Sequence, residues 1–539
     1  MPRGRGGGGL LVLLVLLYAF IVLRTAWLSD DACITFRTIE NFVHGYGLGY
    51  NPFVRVQAYT HPLWMLLLSG VYFLASRVLG LSFPGELYFT AVSLSILLSV
   101  LAVLVFSFRI CRTSTVALIG VGILALSRAF VDYSTSGLEN PLAHLLLAVF
   151  FVLYLTGHND PQPGASGGLL RLSLVASLLG TCRLDLLLLV LPVLAVESLL
   201  TASLRRALGS VLLGFAPLIA WELFSLFYYG FPFPNTAYAK LNTGVSAGNL
   251  IRQGLYYALN SIRADPITLS AIVGALLFPL VGRESRRWTG WPVALGIVLY
   301  LAYATRIGGD FMSGRFYAEP LLCAVVLLVA AEAHWRKAWK PILLLIVGLG
   351  FTAPFPTLLS DATYGAEGPG SCFEIRIDDK GISDERCFYY ANTGLLTLRG
   401  SHGVADSDWA RDNWEVGRQP DDVAVGSAIG YLGYSIGPDI HVVDVYALAD
   451  PLLARLPVRE DREWRIGHFE RAIPEGYLAT LAAGWWQRSQ IQDPSLAAYY
   501  EKLALVTRGS LLDWHRLVEI WNLNTGRYDY LIERYLAAN

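Results

Sequence analysis

Apolar runs of about 16–21 residues, the length that crosses a bilayer as a helix, recur along this chain. Twelve can be read within the first 360 positions, at 9–28, 62–80, 87–108, 114–131, 140–156, 169–182, 184–200, 207–228, 265–281, 289–305, 317–332 and 341–358. A water-soluble core has no use for so many. The chain therefore reads as a polytopic α-helical membrane protein. Of its 539 residues, 54% are hydrophobic and 15% are charged, against about a quarter charged in ordinary soluble domains. The formal net charge of -1 lacks the basic footprint of a nucleic-acid partner.

"MPRGRGGGGLLVLLVLLYAFIVL" has the basic start and apolar run of a signal peptide, yet no small-x-small cleavage motif precedes "RTAWLSDD". It reads as an uncleaved first helix with a cytoplasmic N-terminus. Short basic loops mark the cytoplasmic side: "FRICRT", "SLRR", "GRESRR" and "HWRKAWK", with the neutral "GHNDPQPGASGG" joining them by parity. If all twelve segments crossed, "FRICRT" would face outward. The segment 62–80 opens with His-Pro and carries Trp64, Tyr72 and Arg77, as a helix lying in the interface does. Taking it as non-crossing leaves about eleven spans, with the last third outside the cytoplasm.

The polar, Gly/Pro-rich loops then share the outer face: the first outer loop (28–86), 132–141, 181–185, 228–240 and 306–320. Irregular backbone at membrane depth survives only where protein or a watery cavity covers it. Two domains are expected, a membrane domain over 1–358 and an extracytoplasmic one over 359–539. In the latter, 421–451 reads strand, Gly-rich turn with a helix, strand, the mark of a small α/β layer. Cys372 and Cys387 stand close enough in sequence to form a disulfide in an oxidising compartment. Cys33, Cys111, Cys182 and Cys323 show no metal-ligand spacing.

Asp30 and Asp31 follow the first span directly. After Ser29 they could simply open a helix, a serine cap with acids in the first turn. However, Asp30, Ile34, Arg37 and Asn41 fall on one helical stripe, and such a stripe beside a membrane is expensive unless it meets something polar. Glu139, Arg183 with Asp185, Lys240, and Asp310 with Arg315 repeat the mixture in the other outer loops. Each has a bland reading as a cap, a local ion pair or a snorkelling side chain. Together they fit transfer of a sugar from a polyprenyl-phosphate donor: a carboxylate takes the acceptor's hydroxyl proton, and cations meet the charge gathering on the leaving phosphate.

Over nearly the whole chain, "DDACITFRTIENFVHGYGLGYNP", "RVQAYTHPLW", "STSGLENPL", "YYGFPFPNTAYAK", "GGDFMSGRFYAEPLL", "GSAIGYLG", "IHVVDVYALADP" and "GHFERAIPEGYLA" resemble the membrane-embedded GT-C glycosyltransferases. Among these they resemble the terminal arabinofuranosyltransferases of mycobacterial cell-wall assembly. The resemblance implies a polyprenyl-phosphate sugar donor, a cell-envelope glycan acceptor and a multi-pass plasma-membrane enzyme. It implies Asp30 and Asp31 as catalytic acids. Donor phosphate and sugar contacts would come from Arg37, Tyr59, His61, Glu139, Arg183, Asp185, Asn235, Lys240, Asp310 and Arg315, and acceptor contacts from Asp444 and His468. Some GT-C enzymes use a divalent metal, and no ligand set here compels one. Two motifs depart from the family: Gln57-Ala58-Tyr59-Thr60 replaces Glu-Gly-Tyr-Thr, and Arg183-Leu184-Asp185 replaces Arg-Pro-Asp. The first removes a carboxylate, so the sugar handled can differ. A lipid-linked sugar transporter or flippase and a non-catalytic envelope-assembly relative are the alternatives. The transporter would want inverted repeats and charged helices at mid-membrane, and the chain shows neither.

Overall fold

The computed structural model describes residues 5–81, 85–157, 166–201, 203–281, 290–398, 423–459, 463–484 and 487–538. Most of the loop "GHNDPQPGASGG", all of "GRESRR" and the first two residues of 421–451 lie outside the described residues. The chain is mostly helical, and helices stand where the apolar runs lie, for example Arg5–Thr25, Glu86–Val105, Asn140–Gly157, Trp291–Arg306 and Ala318–Ala330. Among the described residues, 3 helices have the length and apolarity to cross a membrane, or up to 4 if the pair broken at Phe215 is one span. Shorter apolar helices include Pro62–Val78, Ser114–Leu126 and Pro266–Leu277.

Two compact units interleave along the chain. Unit 1 is Met1–Ser29, Tyr88–Leu218 and Ser246–Arg399; unit 2 is Asp30–Leu87, Ile219–Val245 and Gly400–Asn539. The expected cut at 358 does not coincide with these units. Residues 359–399 fall in unit 1, and the first outer loop falls in unit 2.

In unit 1 the first helix is tied in by polar contacts as well as packing. The Tyr18 hydroxyl meets Ser134 Oγ at 2.8 Å, and Trp27 Nε1 donates to the Asp132 carbonyl at 2.7 Å. The Ser29 hydroxyl donates to the Ser136 carbonyl at 3.1 Å. Cys372 and Cys387 are joined in a disulfide. Beside it, Arg386 is 1% exposed and pairs with Asp132 at 2.7 Å, while Arg128 pairs with Asp384. These crossed ion pairs anchor residues 384–386 on the Arg128–Asp132 helix.

Unit 2 contains the strand–helix–strand expected from sequence. The strands β1 (Val423–Gly426) and β2 (His441–Asp444) pair in parallel, Val423 opposite His441 and Gly426 opposite Asp444. The helix Ile429–Ile436 connects them. Val423 and Val443 pack on one side with Leu452, Leu496 and Leu503, the last two from the helix Pro494–Arg508. On the other side, Val442 and Leu432 pack with Ile34 and Tyr50. The motif "GSAIGYLG" explains how closely the Asp30–Val43 helix is met. A methyl group on Gly430 would overlap the Asp30 backbone, and one on Gly433 would overlap the Tyr50 hydroxyl. Gly430→Ala and Gly433→Ala should therefore each destabilise unit 2 by about 1–3 kcal/mol through overpacking. Thermal unfolding of detergent-purified protein checks this, with Gly430→Ala the worse because backbone is harder to displace than a side chain.

Candidate functional site

Unit 1 gathers charged residues from three separate stretches of sequence. Glu139 precedes the apolar helix Asn140–Gly157 and is 0% exposed. It accepts from Arg183 Nη1 at 3.0 Å and from Arg315 Nη2 at 3.1 Å. Arg183 ends the Ser166–Cys182 helix with extended backbone and turns its Nε to Asp185 Oδ1 at 2.7 Å. Arg315 follows Gly314, whose φ of 77° is open to glycine at no steric cost, and its Nη1 lies 3.5 Å from Asp310 Oδ2. Two residues not expected from sequence complete the cluster. The Tyr300 hydroxyl accepts from Arg183 and donates to Asp185 Oδ2 at 3.1 Å. Glu319 lies 3.7 Å from Arg183 and accepts from Asn140 at 2.7 Å. Its signal was present, a carboxylate in the first turn of an apolar helix, four residues after Arg315.

Among the described residues two guanidinium groups thus face four carboxylates. Arg183 and Arg315, expected as phosphate partners, are paired with these carboxylates. Both are more than nine-tenths buried, their N–H groups are engaged by Glu139, Asp185 and Asp310, and the acidic surplus would repel a phosphate. They act as internal countercharge. Asp185 keeps partial exposure.

Unit 2 holds the acidic pair on the helix Asp30–Val43. Asp30 accepts backbone N–H groups from Gly430 at 3.1 Å and Tyr431 at 2.8 Å, at the start of the Ile429–Ile436 helix, where a carboxylate also suits the dipole. Burial, outweighing those two donors and helped by Asp31, pushes the Asp30 carboxyl up to about 7. Asp31 is the more exposed of the pair. The polar stripe does meet something polar, but it is the protein's own backbone. Arg37, expected at the donor, donates to the carbonyls of Tyr50, Gly433 and Ile440, and Asn41 donates to those of Gly49 and Tyr50.

Other expected site residues in unit 2 also turn out to build loops. Asn235 donates to the carbonyls of Ala447, Leu448 and Asp450. Asp444, expected at the acceptor, is 0% exposed and accepts the amides of Tyr446, Leu448 and Ala449. Tyr59 pairs its hydroxyl with Tyr229 at 2.7 Å, and His61 Nε2 lies 2.9 Å from Thr35 Oγ1; both are buried. Gln57, at the family's carboxylate position, accepts from Ser225 at 3.2 Å. Partly exposed positions are retained by His468, whose ring burial pushes down to about 3 with Arg465 and Lys240 adding to the effect, and by Lys240 itself, which is exposed. Among the described residues no three His, Cys, Asp or Glu side chains are placed to hold a metal ion.

No family model matches the chain. Two curated proteins do, both named terminal β-(1→2)-arabinofuranosyltransferase. The one from Mycobacterium tuberculosis is 26% identical over 84% of this chain and 82% of its own length. The one from Corynebacterium glutamicum is 25% identical over 93% of this chain and 82% of its own length. The chain resembles the terminal β-(1→2)-arabinofuranosyltransferases. Among solved structures, the Archaeoglobus fulgidus oligosaccharyltransferase in its apo form aligns with a TM-score of 0.43 at 13% identity, over 83% of this chain and 65% of that one.

Arg183→Met should unpair Asp185 and leave Glu139 with Arg315 alone, without adding bulk. Breaking a buried ion pair from one side costs about 3–5 kcal/mol. A fall of that order in unfolding free energy is expected in detergent, and an unchanged transition would show that the cluster is not buried as described.

Proposed function

We propose that the chain is a membrane glycosyltransferase of the GT-C class. It transfers a sugar, arabinofuranose in the first instance, from a polyprenyl-phosphate donor to a cell-envelope glycan on the outer face of the plasma membrane. The observation that carries this reading is the similarity over most of the chain to two proteins named for arabinofuranosyl transfer. The lipid-linked donor is supported by the apolar helices, since a polyprenyl tail needs a bilayer beside the site. In the reaction, the acceptor hydroxyl attacks the anomeric carbon, its proton passes to a carboxylate, and the bond from that carbon to the phosphate oxygen breaks.

The acidic pair Asp30–Asp31 supplies the base. Asp30, pushed up to about 7 by burial, is matched to proton transfer near neutral pH, where a base works best. The phosphate's countercharge falls to Lys240, which is exposed and a compact point charge suited to phosphate. The Arg183–Arg315 cluster holds the loops of unit 1. For the acceptor, the partly exposed His468 is the better placed of the two expected residues, because Asp444 is enclosed.

Membranes carrying the chain, supplied with radiolabelled polyprenyl-phosphoryl arabinofuranose, provide the assay. Asp30→Asn with Asp31→Asn should lower kcat by about 10²–10⁴-fold, the usual worth of a general base. Transfer at the wild-type rate by that double variant would overturn the assignment. A base must be ionised to work, so the wild-type rate should rise with pH through about 7 as Asp30 loses its proton, and Asp30→Asn should remove that limb. Lys240→Ala should raise the KM for the donor by about tenfold, as the loss of one charged hydrogen bond does.

A further inference from the structure

Unit 2 contains a cavity of about 430 Å³ that plays no part in the roles above. It opens between the C-terminal half of the Asp30–Val43 helix and residues 433–438. Its size lies within the roughly 300–1,000 Å³ of small-molecule pockets. Arg37 and Asn41 line it with their N–H groups committed to backbone carbonyls, and the Arg37 guanidinium keeps its positive charge.

Glu40 brings the opposite charge. The Glu40 side chain is 34% exposed and uses one oxygen to accept from Tyr72 at 3.2 Å. His44 turns Nδ1 back to the Glu40 carbonyl at 2.8 Å, which aims Nε2 away from its own helix. Aromatic rings flank the carboxylate. His44 stacks on Tyr46 with planes 18° apart, and Tyr46 meets Phe53 edge-on at 5.9 Å. Tyr434 enters from the 433–438 side, steadied edge-on by Phe36 at 5.8 Å. Phe53 is 70% exposed and holds a φ of 59°, a left-handed conformation that is an outlier for a bulky residue. Strain of this kind persists where the surroundings require it and clusters at binding sites.

A carboxylate offset by a guanidinium, with aromatic rings in the same wall, favours neither a cation nor an anion and suits a neutral polyhydroxylated ring. The apolar C–H face of a sugar lies against Tyr46 or Tyr434, its hydroxyls donate to Glu40, and the Tyr434 hydroxyl and His44 Nε2 are within the same wall. We propose that this cavity is a glycan subsite that holds a sugar ring of the acceptor chain. The proposal rests on the transferase reading for the identity of the sugar, and on the cavity alone for its being a sugar.

The test uses the full chain in detergent and in membranes. The probe is a soluble β-(1→2)-linked arabinofuranosyl disaccharide, with Tyr46→Ala and Glu40→Gln as variants. Saturation-transfer NMR and calorimetry should show the disaccharide bound by wild type and weakened about tenfold by each variant, the worth of one good polar or stacking contact. In membranes the acceptor KM should rise by a similar factor while kcat stays within about twofold. Tyr46→Phe, which keeps the ring, should bind as wild type does and shows whether a failure of Tyr46→Ala is one of folding. Unchanged Kd and KM in both variants, with transfer intact, would remove the subsite and leave the enzyme. Binding that the variants weaken, in a wild type that transfers nothing, would remove the transferase and leave a sugar site.

Discussion

Glu139 has no contact with water, and a carboxylate in that position is stable only while Arg183 and Arg315 hold it at 3.0 and 3.1 Å. Each arginine in turn binds a second carboxylate, Asp185 or Asp310. The loops at 132–141, 181–185 and 306–320 are therefore fixed by charge, each helping to satisfy another. Removing any one residue leaves its partner as an uncompensated buried ion, which costs more than the pair ever contributes. Irregular backbone between apolar helices needs such a frame.

In unit 2 the frame is made differently, from side chains that bind backbone. Asp30 takes two amides, Arg37 three carbonyls, Asn235 three more and Asp444 three amides. These are the residues a site-hunter would select, because they are polar, buried and set in distinctive motifs. Most of them instead answer the backbone groups of loops that neither strand nor helix can satisfy. Asp31, Glu40 and His468 keep partial exposure and Lys240 is exposed.

Much of the architecture was legible in sequence. The apolar runs located the helices because a helix crossing a bilayer must be apolar over its length. Residues 421–451 announced the β1–helix–β2 unit through alternation and glycine, and the spacing of Cys372 and Cys387 anticipated their disulfide. Tyr300 sits inside an apolar run, where a lone polar residue carries no pattern, whereas Glu319 is marked by its place in the first turn of an apolar helix. The cut at 358 also failed to match the compact units, since composition changes along the chain while packing gathers distant stretches.

The sequence by itself determined that this chain is mostly apolar helices and that the polar loops between them carry acids and bases in alternation. Local composition and period are sufficient for that. Only the tertiary structure decided which of those charges face each other and which face solvent. Arg183 looks the same in sequence whether it meets Glu139 or a phosphate, and its partner lies 44 residues away. The energy of a charge depends on what surrounds it in space, and neighbours in the chain do not report that.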